Sequence, residues 1–117
     1  MEIQVNTGSN IRGRESLSAH IADKVWHALG RFSAHLTRVE VHLTDEAGKK
    51  SSKSDKRCVM EARPSGHQPV AVTHEAATLE EAYWGAAIKL QNLLGSTFGR
   101  IEGRTRSDSK AEGETGS

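Results

Sequence analysis

Thr37-Arg-Val-Glu-Val-His-Leu-Thr-Asp45, Lys56-Arg-Cys-Val-Met-Glu-Ala-Arg63 and Gln68-Pro-Val-Ala-Val-Thr-His74 are the three runs whose reading decides the fold. In the first, Val39, Val41 and Leu43 alternate with Arg38, Glu40, His42 and Thr44, the period-two pattern of a strand with one wet face. The second sets Cys58, Met60 and Ala62 against Arg57, Val59, Glu61 and Arg63, and the third sets Val70 and Val72 against Ala71 and Thr73. The connections are too short for a crossover helix, so the three runs predict an antiparallel meander. Its apolar face needs a cover, and the flanking segments must supply it.

Working outward, Glu2-Ile-Gln-Val-Asn-Thr7 predicts a short strand with Ile3 and Val5 inward, and Gly8-Ser9-Asn10 turns the chain. From about Arg14 to Phe32, Leu17, Ile21, Val25, Ala28, Leu29 and Phe32 recur at helical spacing. Beside them runs a second stripe of His20, Lys24, His27 and Arg31. At about 100° per residue these four project within roughly 60° of one another, about a quarter-turn from the apolar centre. Downstream of the meander, Thr78 suits an N-cap and Glu80 and Glu81 suit a first helical turn. Leu79, Tyr83, Ala86, Leu90, Leu93, Leu94 and Ile101 form that helix's apolar stripe, and Gly95 and Gly99 weaken its end. The segment from Glu46 to Asp55, with Lys49, Lys50 and Lys53, reads as a mobile solvated loop. Pro69 removes a donor at the start of the last strand, which suits an edge or strand end. The prediction is an α+β fold of order β-α-β-β-β-α, a two-layer sandwich with a four-stranded sheet and both helices on one face. It spans residues 1–101, and residues 102–117 read as a disordered tail.

A chain of 117 residues suffices for one small two-layer core. It contains no apolar run long enough to span a bilayer and no leader-like opening, so no membrane partner is expected. Sixteen basic against 15 acidic residues give a formal charge of +1. Polyanion binding therefore has to rest on where the charges sit. The lone Cys58 excludes an intrachain disulfide and fits a reducing, cytoplasmic setting.

Catalysis finds little support in the residues. Cys58 near His42 or His74 would suggest a thiol nucleophile, but the alternation turns Cys58 to the core and His42 to water, the setting of an inert thiol. Six histidines raise the question of metal, yet no Cys-x-x-Cys or His-Glu-x-x-His spacing occurs. Glu40 and Glu61 can lie side by side on the wet sheet face, where pairing with Arg38, Arg57 or Arg63 accounts for them. No Gly-rich phosphate loop follows a strand. The expectation is a protein that is no enzyme and uses no metal, cofactor or small-molecule substrate. The His20, Lys24, His27 and Arg31 stripe offers a row for phosphates, and it equally fits a plain solvated helix face. Trp26, Trp84 and Ile88 lie off the buried stripes, where they can stack on bases, meet a protein partner or tuck under a neighbouring element.

The element order, Gly8-Ser9-Asn10-Ile11, the Leu17 to Phe32 helix and Thr37-Arg-Val-Glu-Val-His-Leu43 together resemble the ribosome hibernation-promoting factor family, also called ribosomal subunit interface proteins. Asn6-Thr7, Gly13-Arg14-Glu15, Arg31-Phe32, Asp55-Lys56-Arg57-Cys58, Met60-Glu61-Ala62-Arg63 and Gly99-Arg100 are similar to a divergent short bacterial branch of it. The resemblance covers about residues 2–101. It implies a stress-type factor that binds the small ribosomal subunit, contacts ribosomal RNA through basic helix residues and down-regulates translation. Lys24 matches a lysine of the family's first helix, and His27 stands where another lysine is usual. Lys89-Leu90 matches a Lys-Leu of the second helix, and Arg100 falls on a basic position near its end. Asn92, Ser96 and Phe98 replace basic residues and Trp84 replaces an acidic one, which implies weaker, more salt-limited binding.

The resulting expectation places RNA on His20, Lys24, His27, Arg31, Lys89 and Arg100, in a monomer or weak dimer, and without the dimerisation domain of long family members ribosome pairing by that device is not expected. The rival is a protein-interaction module on the same scaffold that has lost its RNA face and uses Trp26, Trp84 and Ile88. General duplex-RNA binding is a third reading, since helix-covered sheets also serve that purpose.

Overall fold

Alternation in the three runs produces one face of a mixed four-stranded sheet, seen in a computed structural model that describes residues 1–46 and 55–110, with side chains through residue 99. The elements are β1 (Glu2–Thr7), α1 (Arg14–Leu29), a 3-10 segment (Gly30–His35), β2 (Leu36–Asp45), β3 (Lys56–Pro64), β4 (Val70–Ala76) and α2 (Leu79–Lys110). The strands lie in the order β1-β2-β3-β4. β1 runs parallel to β2, with α1 as the crossover between them, and β2, β3 and β4 form the antiparallel meander. The Lys49 to Lys53 loop lies within residues 47–54, outside the described residues.

Register fixes what each face carries. Ile3 sits beside Val39, and Val5 beside Val41. Val39 faces Ala62, Val41 faces Met60, and Leu43 faces Cys58. Next across, Met60 meets Val72 and Cys58 meets His74. Val39, Val41, Leu43, Cys58, Met60 and Ala62 are fully buried. Ile21, Val25, Ala28, Leu29 and Phe32 of the first helical segment and Ala82, Tyr83, Ala86, Ala87, Leu90 and Leu94 of the second are buried in the same core and cover this one face. α1 packs over β1, whereas α2 lies over β3 and β4.

Several boundaries differ from the sequence expectation. The first helix ends its α-helical portion at Leu29, and Gly30–His35 tightens into a 3-10 turn that still buries Phe32. Gly30 is a poor helix former and sits where the change of pitch begins. The last strand starts at Val70 because Pro69, lacking an N–H, cannot enter the ladder. β2 carries an irregularity between Leu36 and Arg38, and the Thr37 hydroxyl there donates to the Arg63 carbonyl at 3.0 Å. α2 continues to Lys110, nine residues beyond the apolar stripe. No proline interrupts residues 102–110, and Glu, Arg and Lys there are good helix formers. Leu93 is half-buried, and the side chain of Ile101 lies outside those described.

Candidate nucleic-acid interface

The two helices run side by side in the same direction. The His20 ring meets the Tyr83 ring edge-on at 6.3 Å. About two turns further along, the Gln91 side chain donates to the Ala28 carbonyl at 2.8 Å. Beyond that, a Cβ on Gly95 would stand 3.2 Å from the Arg31 guanidinium. The flank of α1 that carries His20, Lys24 and Arg31 therefore borders the seam between the helices.

Each member of the row has a distinct setting. Lys24 shares a shallow depression with Glu80, Glu81, Tyr83 and Trp84. The first turn of α2, where carboxylates favour the positive end of the helix dipole, thus stands beside it. His27 is exposed, and its Nδ1–H donates to the Asp23 carbonyl at 2.8 Å, with the Asp23 carboxylate 3.7 Å away. The Arg31 guanidinium lies over the Phe32 ring at 4.5 Å, a contact that costs it little hydration and leaves its donors outward. Lys89 does not join this row. Its ammonium donates to the Thr73 carbonyl at 2.9 Å and so covers an acceptor on β4, the sheet's edge strand. The Arg100 side chain is outside those described.

Trp26 and Trp84 are the large exposed apolar side chains, at 47% and 44%. They do not form one patch. Trp84 borders the seam with Lys24, while Trp26, two residues after Lys24, projects about 200° around the helix. Ile88 is half-buried on α2.

The outer sheet face is electrically closed. Glu40 and Glu61 are neighbours across β2 and β3. Glu40 forms ion pairs with Arg38 and Arg63, each at 3.3 Å, and lies 3.4 Å from His42, while Arg63 also reaches Glu61 at 3.2 Å. Arg57 pairs with Glu75 at 3.9 Å. At the β2–β3 end, Lys56 contacts Asp45 at 3.3 Å and Asp55 at 2.6 Å, and these carboxylates raise its pKa. Among the described residues, every lysine and arginine of this face has a carboxylate partner. Lys24 and Arg31, by contrast, lie on the helix layer.

Cys58 lies on the helix side of the sheet, and burial pushes its thiol up to about 12, so almost none is thiolate at neutral pH. His74, its cross-strand neighbour, is wedged against α2 at Gly85. Among the described residues, no group of three or more His, Cys, Asp or Glu is arranged to hold a metal ion. None of their helices is long and apolar enough to cross a membrane.

A βαβββα sandwich with both helices on one face of a four-stranded mixed sheet defines a small two-layer α+β class of protein. Residues 4–101 match the family described as Sigma 54 modulation protein / S30EA ribosomal protein, and the chain belongs to it. This is the ribosome hibernation-promoting factor family that the sequence resembles. Among solved structures, the N-terminal domain of Thermus thermophilus Protein Y superposes with a TM-score of 0.64 at 22% identity, covering 83% of this chain and 99% of that one. A ribosomal subunit interface protein from Coxiella burnetii gives 0.61 at 13% identity, over 85% and 99%. Both share the fold. No curated protein sequence matches significantly.

His35 and His67 escaped the sequence reading. His35 follows Arg31 by four residues but lies past the end of the expected helix, and His67 comes beside Arg31 only through the fold.

Proposed function

We propose that this protein is a non-catalytic cytoplasmic factor that binds ribosomal RNA of the small subunit through its helix layer and thereby down-regulates translation. Membership of a ribosomal-protein family over residues 4–101 carries the reading. The charge layout supports it, because His20, Lys24 and Arg31 border one seam, with His27 exposed on the same helix, while the cations of the opposite face are neutralised. Lys89, drawn to the β4 edge, contributes at the margin of the contact. Arg100 belongs to the proposed contact by its place in the sequence, one turn beyond Ser96 on α2. The buried Cys58 offers no nucleophile. Sedimentation with purified small subunits tests the proposal. Saturable co-sedimentation that weakens with salt and with Lys24→Ala plus Arg31→Ala is expected. Protein that stays in the supernatant at low salt, with ribosomes in excess, overturns it.

A further inference from the structure

A cleft of about 440 Å3 opens where α1 gives way to the 3-10 segment, lined by Arg31, Phe32, His35, Ser65, His67, Gly95, Phe98 and Gly99. Its volume falls within the roughly 300–1,000 Å3 typical of small-ligand sites. Two features set it apart from the rest of the surface. Among the described residues, one arginine and two histidines line it and no carboxylate does, in contrast to the paired outer sheet face. Its apolar wall is aromatic: Phe98 stacks on Phe32 at 5.4 Å and lies 5.5 Å from the His35 ring.

The backbone holds these groups together. The Ser65 N–H donates to the His35 carbonyl at 2.9 Å, and the His67 N–H donates to the Pro64 carbonyl at 3.2 Å. Gly66, at φ 74°, makes the left-handed turn that places His67 on the rim. On the other wall, the bare face of Gly95 lets the Arg31 guanidinium lie close to α2.

We propose that this cleft binds one nucleoside phosphate unit. The phosphate is held by Arg31, His35, His67 and the Ser65 hydroxyl, and the base lies against the Phe98–His35 ring pair. Planar rings recognise a base by stacking, and a guanidinium with imidazole N–H donors recognises the anion. Two sources share this chemistry, a free mononucleotide and an unstacked residue of single-stranded RNA. Arg31, His35 and His67 are the titratable and charged groups described around the cleft, and the described α2 wall contributes Gly95, Phe98 and Gly99.

Calorimetric titration of the full chain with AMP, adenosine and inorganic phosphate tests the proposal, whether or not the protein sediments with ribosomes. AMP should bind saturably, about tenfold more tightly than either half alone. Arg31→Ala and His67→Ala, both on exposed residues, should each weaken AMP about tenfold, and Arg57→Ala should leave it unchanged. A short single-stranded oligoribonucleotide that competes with AMP and binds more tightly identifies RNA as the source; equal or weaker binding identifies the free nucleotide. Absence of saturable binding of either AMP or the oligoribonucleotide up to roughly millimolar concentration overturns the proposal. So does phosphate binding as tight as AMP, or AMP binding indifferent to both substitutions.

Discussion

Cys58 stands opposite His74 in the β3–β4 register, a juxtaposition that activates a thiol where water and charge can reach it. Between the sheet and α2 the same residue is fully buried, and desolvation raises its pKa from 9.0 to about 12. The alternating pattern of β3 already placed the sulfur inward, so its inertness was readable from the sequence. The His74 partnership was not, because a cross-strand neighbour depends on register. The raised pKa has a consequence for stability. Between pH 9.0 and about 12 the unfolded thiol loses its proton and the folded one keeps it, so stability falls with rising pH, by about 1.4 kcal/mol per unit at most. Tyr83, also raised by burial, acts in the same direction. Denaturant titrations across this interval should show a shallower alkaline decline in Cys58→Ala than in the parent. Native-state alkylation of Cys58 should be slow and should speed up only with unfolding.

α2 is the element in which local signals and tertiary context separate most clearly. Its start was legible: Thr78 accepts the Glu81 N–H at 3.1 Å and its hydroxyl donates to the Glu81 carboxylate at 3.0 Å. Thr78→Ala should therefore cost about 1 kcal/mol, measurable as a lower denaturation midpoint. Its end was not legible, because Gly95 and Gly99 argued for termination on propensity while the helix continues to Lys110. Gly95 has a tertiary reason, the Arg31 guanidinium that lies against it. Gly85 has another. A Cβ there would overlap the His74 ring, so this glycine lets α2 approach β4 closely. Exposed helical glycines gain about 1 kcal/mol on change to alanine. Gly85→Ala should instead lose roughly 1–3 kcal/mol through overpacking. Adding His74→Ala should recover most of that loss in a double-mutant cycle, an interaction that additivity would deny. Strand order shows the same division. Alternation identified four strands and their inward faces, whereas the parallel β1–β2 pairing emerges only when α1 is seen as a crossover.

Across the whole molecule the net charge of +1 conceals two unlike surfaces. On the sheet, Arg38, Arg57 and Arg63 are drawn down onto Glu40, Glu61 and Glu75. Such exposed pairs add little to stability, but they leave that face little net attraction for a polyanion. On the helices, Arg31 rests on a ring rather than a carboxylate, and His27 binds a backbone oxygen. Lys24 has Glu80 and Glu81 beside it, which tempers its contribution at distances within the screening length. The proposed RNA contact thus depends on few charges, and its salt dependence should be correspondingly shallow. Each phosphate neutralised contributes about −0.7 to −0.9 to the slope of log K against log salt. Lys24→Ala plus Arg31→Ala should therefore make the slope for subunit binding less steep by about 1.4 to 1.8, together with weaker binding at every salt concentration. Arg57→Ala plus Arg63→Ala removes the same formal charge from the opposite face and should leave the slope unchanged. Equal losses from the two pairs would mean that overall charge, and not the helix seam, governs binding, and would remove the structural basis for placing RNA on α1.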